Sequence, residues 1–266
     1  MLGAVTLLVL LPFSSGAVTI YTQTFDNTSA ANGGNANTST VNWFGISNVG
    51  AASSAVNLST SSVDPNSVTP LLSNAQGKDA TAGLLAFNFA QNTSSTKRAL
   101  IYTASSNFIS GYSAAAFSSM NTASWWQGNT SNSPTTALAV QLGSDWYISD
   151  TTFTSPAIQF GSGFATGAEQ KTVTFSTTTW TKLNFTLNTT GFTLGTGGDA
   201  GIAAASLGSL SVQGIGFFST DTTGARMRYD SLVLDAAAIP EPGTYTLLAG
   251  GLLTLTFLRR RNPPAS

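Results

Sequence analysis

The sequence predicts an all-β body, a single β-sandwich of jelly-roll or concanavalin-like type, followed by one C-terminal membrane-spanning helix. Apolar and polar residues alternate in many short runs, which is the period of a strand with one buried face. Clusters of Gly, Asn, Ser and Thr separate the runs, and no convincing amphipathic helix interrupts them. No fixed repeat is present, so a solenoid is not expected.

The elements follow in order. Residues 2–13 are almost wholly apolar and lead to the small residues Ser15 and Ala17, so residues 1–17 are expected to be a signal peptide cut after Ala17, although no positive charge precedes the apolar core. Strands are predicted at 18–25 and 41–46, with long surface loops at 30–40 and 53–67. Residues 84–89 and 99–102 are apolar runs around a polar stretch and read as a hairpin with a longer loop. Residues 137–142 and 146–149, joined by Gly143-Ser144-Asp145, read as a tighter one. Further strands are predicted at 171–175, 180–187, 213–219 and 226–234, and 236–238 is a short linker. The organisation is therefore a signal peptide (1–17), a sandwich ectodomain (18–238) and a C-terminal segment (239–266).

Composition excludes several kinds of chemistry. Charged residues are only 8% of the chain and the net charge is −1, so there is no basic patch for nucleic acid. Of 10 basic and 11 acidic residues, three and one lie in the C-terminal segment, which leaves the body slightly acidic at 7 against 10. There is no cysteine, so stability rests on packing and not on disulfides or thiolate metal sites. There is no histidine, which removes a Ser-His-Asp triad, an imidazole base and a His-containing zinc site. A glycosidase needs two carboxyl groups flanking one bond, and Asp145 and Asp150 fall on opposite faces of a strand. The expectation is a non-enzymatic protein.

Two constellations are candidates for binding. Trp125 and Trp126 lie in a polar, loop-like stretch at 118–132, where exposed rings would stack on sugars, although adjacent tryptophans in extended chain point opposite ways and one can fill the core. Trp146 and Tyr147 sit in a predicted strand and are assigned to packing. If the first and last strands pair, Asp26, Asp230 and Asp235 would approach one another and offer oxygens to a structural Ca²⁺; no other cofactor is implied, and surface aspartates capping turns explain the same residues.

The C-terminal segment carries the most specific signal. Pro240-Glu241-Pro242 is a rigid turn, residues 243–258 carry no charge, and Arg259-Arg260-Arg261 follow. This order resembles the PEP-CTERM sorting signal of bacterial exported proteins. The resemblance implies a substrate of an exosortase-type membrane peptidase, with Pro240, Glu241 and Pro242 recognised, 243–258 inserted in the membrane and Arg259, Arg260 and Arg261 held on the cytoplasmic side. An ordinary single-pass anchor is the alternative. A helix over 243–258 would rise roughly 24 Å against a hydrocarbon core of ~30 Å, a marginal span suited to transient retention. Within the body, residues 180–186 and 214–220, followed by Asp230, Leu232 and Leu234, resemble the closing strands of carbohydrate-binding-module-like sandwiches.

The expectation is thus an exported cell-surface or extracellular-matrix protein, held in the inner membrane and then sorted. The alternative is a carbohydrate-binding module acting in exopolysaccharide. A polysaccharide-active enzyme ranks third.

Overall fold

The computed structural model describes residues 16–26, 36–37, 41–48, 55–57, 71–72, 78, 83–88, 97–129, 134–158, 163–184, 193–222 and 225–239. By contact the chain divides into Thr19–Ala236 and a second unit of 1–18 with 237–266. Of the second unit Gly16–Val18 and Ala237–Ile239 are described, with the Ala238 N–H donating to the Gly16 carbonyl at 3.1 Å.

The strands are β1 (Ala17–Gln23), β2 (Ala36–Asn37), β3 (Phe44–Asn48), β4 (Ala55–Asn57), β5 (Leu71–Leu72), β6 (Leu85–Asn88), β7 (Lys97–Ala104) and β8 (Met120–Gln127). There follow β9 (Thr135–Leu142), β10 (Asp145–Phe153), β11 (Glu169–Thr174), β12 (Thr179–Asn184), β13 (Thr193–Leu194), β14 (Ile202–Ala203), β15 (Val212–Asp221) and β16 (Arg226–Ala237). The α-helices among the described residues are two short ones, α1 (Gly163–Gly167) and α2 (Ala204–Leu207). The architecture is all-β, in two sheets whose named strands pair antiparallel. The smaller sheet runs β11-β8-β16-β6-β5-β2, with β1 also on β16, and the larger runs β13-β12-β10-β9-β15-β7-β3-β4, with β14 also on β12.

Aromatic side chains join the sheets. Phe217 of β15 stacks on Tyr229 of β16 with ring centroids 4.3 Å apart, and Trp125 of β8 meets Phe217 at 5.3 Å and Phe153 at 5.2 Å. These contacts fix which face of each strand is inside, because side chains alternate along a strand. The Tyr229 hydroxyl lies between Ser219 Oγ (2.6 Å) and Thr136 Oγ1 (2.7 Å), so the one polar atom of a fully buried ring is satisfied across the sheet gap. Burial raises the Tyr229 phenol well above its ordinary value, and the two hydroxyl contacts oppose that shift.

The structure corrects three expectations about elements. Residues 84–89 and 99–102 are not a hairpin: β6 lies beside β16 in the smaller sheet and β7 beside β15 in the larger. The stretch containing Trp125 and Trp126 is not a loop but β8, whose buried Met120, Ala123, Trp125 and Gln127 mark the inward face. The long loops expected at 30–40 and 53–67 contain the short strands β2 and β4; their remaining residues lie outside the described ones. The β9–β10 hairpin is as expected, with Gly143 at φ +59° in the turn.

Candidate functional site

A sheet with one core face normally shows alternating burial. In β9 and β15 nearly every residue is buried, so the outer face of the larger sheet is apolar too. Since Phe217 points inward, Gly214, Gly216 and Phe218 point outward. With Phe218 on that face lie Leu100, Ala137, Ala139, Trp146, Ile148 and Leu183, with Tyr102 packed at the margin.

Within this patch the rings form a row. Phe44 is opposite Tyr102 in the β3–β7 register, and their centroids are 6.2 Å apart. Tyr102 and Trp146 meet edge-on at 5.0 Å although β15 and β9 separate their strands, a gap of about 14 Å by strand spacing. They meet because the intervening positions are Gly216 and Ala139 at the level of Tyr102, and Gly214 and Gln141 at the level of Trp146. A Cβ on Gly214 would lie 3.4 Å from Trp146 Cη2, so the indole rests on glycine backbone. On Gly216 a Cβ would come within 2.8 Å of Tyr102 Cβ.

Trp146 is only 6% exposed and forms the floor, whereas Tyr102 and Phe44 are half-buried and offer accessible ring area. Burial also raises the Tyr102 phenol, which stays neutral at ordinary pH. Gln141 is half-buried beside Trp146, and further along the same face of β10 the exposed Asp150 accepts the Thr181 hydroxyl on Oδ1 at 2.5 Å. Aromatic faces with a few polar side chains suit a ring-shaped polar ligand such as a sugar. Asp150 thus lies on the outer face of the larger sheet. Asp145 faces the other way and pairs with Lys182 Nζ at 2.9 Å.

The expected stacking pair is corrected. Trp125 is 0% exposed, with its indole N–H donating to Gln127 Oε1 at 3.2 Å, so it is a core residue and not a sugar platform. Trp126 is half-buried on the outer face of the smaller sheet, packed on Leu84, Ala86, Ile158, Phe164 and Ala168. Lys78 Nζ stands 4.4 Å from its ring centre, a cation–π contact that occupies one ring face.

The aspartate cluster is corrected as well. The first and last strands do pair, but Asp235 accepts from Thr19 Oγ1 (2.7 Å) and Thr122 Oγ1 (3.2 Å), while buried Asp230 accepts the backbone N–H groups of Lys78 (2.5 Å) and Ser231 (2.7 Å). Asp26 accepts from Thr24 Oγ1 at 2.8 Å. Among the described residues no three carboxylates converge on a metal position. Pro240, Glu241, Pro242, Arg259, Arg260, Arg261 and the helix expected at 243–258 lie outside the described residues. Among those described, no helix is long and apolar enough to cross a membrane.

Sequence reasoning passed over Tyr102 and Phe44. The available signal was Gly214-Ile215-Gly216, two outward glycines in a central strand, facing the unbroken apolar run Leu100-Ile101-Tyr102.

No protein-family model matches this chain, and no curated protein does. Among solved structures it is similar to the family 11 carbohydrate-binding module of the cellulosomal cellulase Lic26A-Cel5E of Clostridium thermocellum, with TM-score 0.42 and 11% identity over 84% of this chain and 98% of that one. It is also similar to a family 11 module from Clostridium thermocellum in complex with a β-1,3-1,4-mixed-linked tetrasaccharide, with TM-score 0.41 and 11% identity over 74% of this chain and 90% of that one.

Proposed function

We propose that this chain is an exported, non-enzymatic surface protein whose body holds polysaccharide on the outer face of the larger sheet. The observation that carries the binding is the row Phe44–Tyr102–Trp146 laid over Gly214 and Gly216. Large rings seated on a glycine floor give a stiff apolar strip whose ordering cost is met on folding and not on binding. Affinity electrophoresis in gels containing neutral and acidic polysaccharides tests it: one polymer should retard the protein, and Tyr102→Ala should weaken that binding about tenfold, the value of one aromatic contact of ~1.4 kcal/mol. Retention on no polymer, or unchanged retention of Tyr102→Ala, would sink it.

A second reading concerns the tail. The order Pro240-Glu241-Pro242, uncharged 243–258 and Arg259-Arg260-Arg261 supports membrane retention followed by exosortase-type processing. Mass spectrometry of the C-terminus after co-expression with such a peptidase should find a cut near the prolines that Pro242→Ala suppresses. An intact terminus would leave an ordinary anchor.

A further inference from the structure

We infer that the end of the body where its first strand begins and its last strand finishes is a bilayer-facing surface, with Ile109 and Leu210 seated among lipid headgroups; this rests on the tail being a membrane segment. Entry and exit are adjacent, since Thr19 Oγ1 donates to Asp235 Oδ1 at 2.7 Å. Met120, which starts β8, is opposite Ala236, so the connection 105–119 lies at this end, and its Ile109 N–H donates to the Ile20 carbonyl of β1 at 2.9 Å. From the larger sheet the same connection receives β15, through Phe117 N–H to the Leu210 carbonyl (2.8 Å) and Val212 N–H to the Ala115 carbonyl (2.9 Å). The β9–β10 turn joins them through Gly143 N–H to the Ser211 carbonyl at 3.1 Å.

This end collects the exposed large apolar residues of the body. Among the described residues of Thr19–Ala236 they are Ile109 (47% exposed), Leu210 (37%) and Leu194 (44%), the last opposite Leu183 near the finish of β12. Single exposed apolar residues are ordinary, but all three lie towards one end: Leu194, opposite Leu183, on the outer face of the larger sheet there, and Ile109 and Leu210 on the connections at the end itself. The end is also poor in charge. Residues 104–119 and 200–220 contain none, Asp145 is neutralised by Lys182, and Asp199 and Asp235 remain. Arg98, Asp221, Arg226 and Glu169 stand at the opposite strand ends.

Covalent reach limits what can cover the patch. Six residues, seven Cα-to-Cα steps, link Ala236 to Gly243, at most roughly 25 Å of extended chain, so a bilayer holding 243–258 would lie within that distance of the exit strand. The facing surface is a lipid interface, where apolar side chains partition and charges are disfavoured.

The absence of cysteine makes the test direct. The full chain is reconstituted in phosphatidylethanolamine–phosphatidylglycerol vesicles as Ile109→Cys, Leu210→Cys or Thr154→Cys, the last exposed beyond β10 at the opposite end, each carrying an NBD fluorophore. Labels at 109 and 210 should shift to the blue and be quenched by doxyl-labelled lipid several-fold more strongly than the label at 154. Water-like emission at 109 and 210 in protein that floats with vesicles overturns this inference alone. Blue-shifted labels that doxyl lipid does not quench identify a second copy of the chain as the occupant and also overturn it. Protein that fails to float overturns both this inference and the tail reading.

Discussion

Single residues show where packing outranks local preference. Phe25, with φ +55°, lies in the left-handed region that bulky residues avoid, yet it is fully buried, meets Trp43 at 4.9 Å and donates its N–H to Gln23 Oε1 at 2.8 Å. Nothing in its neighbouring sequence announces that conformation. Adjacent Trp125 and Trp126 were legible as a pair pointing opposite ways, but which one faces the core depends on β8 registering with β16, a contact distant in sequence. The buried hydroxyl cluster has a measurable value. Tyr229→Phe removes the oxygen that Ser219 and Thr136 share, and those two hydroxyls, 3.5 Å apart, keep only each other. Urea denaturation should show a loss of about 1–2 kcal/mol with an unchanged m-value.

Among elements, β15 has the tightest fit. It is held on both sides, by β7 and β9, and its outward Gly216 admits no side chain: a Cβ there would collide with the Ile101 carbonyl, at 2.1 Å. Gly216→Ala should therefore cost about 3 kcal/mol or more in urea titration, by prying β15 from β7. Gly214→Ala meets the Thr103 carbonyl at 2.9 Å and Trp146 Cη2 at 3.4 Å, so it should cost less stability than Gly216→Ala and, by displacing the indole, also lower polysaccharide retention. Most strands were legible from alternation in the sequence, because one buried face enforces period two, as in β11. Partnership was not. The runs that became β6 and β7 are close in sequence and suit a hairpin, but sandwich topology sends successive strands to different sheets, and local pattern does not record that choice.

At the scale of the molecule, composition predicts the pH response. With neither histidine nor cysteine, no side chain has an ordinary pKa between the carboxylates and the tyrosines, so thermal stability should be flat from about pH 6 to 9. Burial raises the phenols of Tyr21, Tyr102 and Tyr229, so the unfolded chain releases these protons first. The native state then binds more protons than the unfolded one, and stability should fall as pH rises beyond about 10. Arg226 and Arg228, both lowered by burial, oppose this, while Lys182, raised by its hydrogen bond to Asp145, adds to it, so two groups stand against four. Scanning calorimetry across pH 6–11 checks the shape; a midpoint that rises above pH 10 would contradict it. All-β character was legible from composition and periodicity, whereas the candidate site was not, because it is assembled from β3, β7, β10 and β15, which only the folded sheet brings side by side.

The place of β16 in the smaller sheet bears on timing. It is the last strand of the body to be synthesised, yet it pairs with β8, β6 and β1 and so closes that sheet from its middle. Until residue 237 has emerged, β8 and β11 lack their link to the rest of the sheet, and Phe217 lacks the ring of Tyr229 beneath it. Such non-local pairing defers cooperative folding to the end of the chain. A chain threaded outward from its N-terminus would thus stay translocation-competent over nearly its whole length, and would become a folded body only as its final segment arrives.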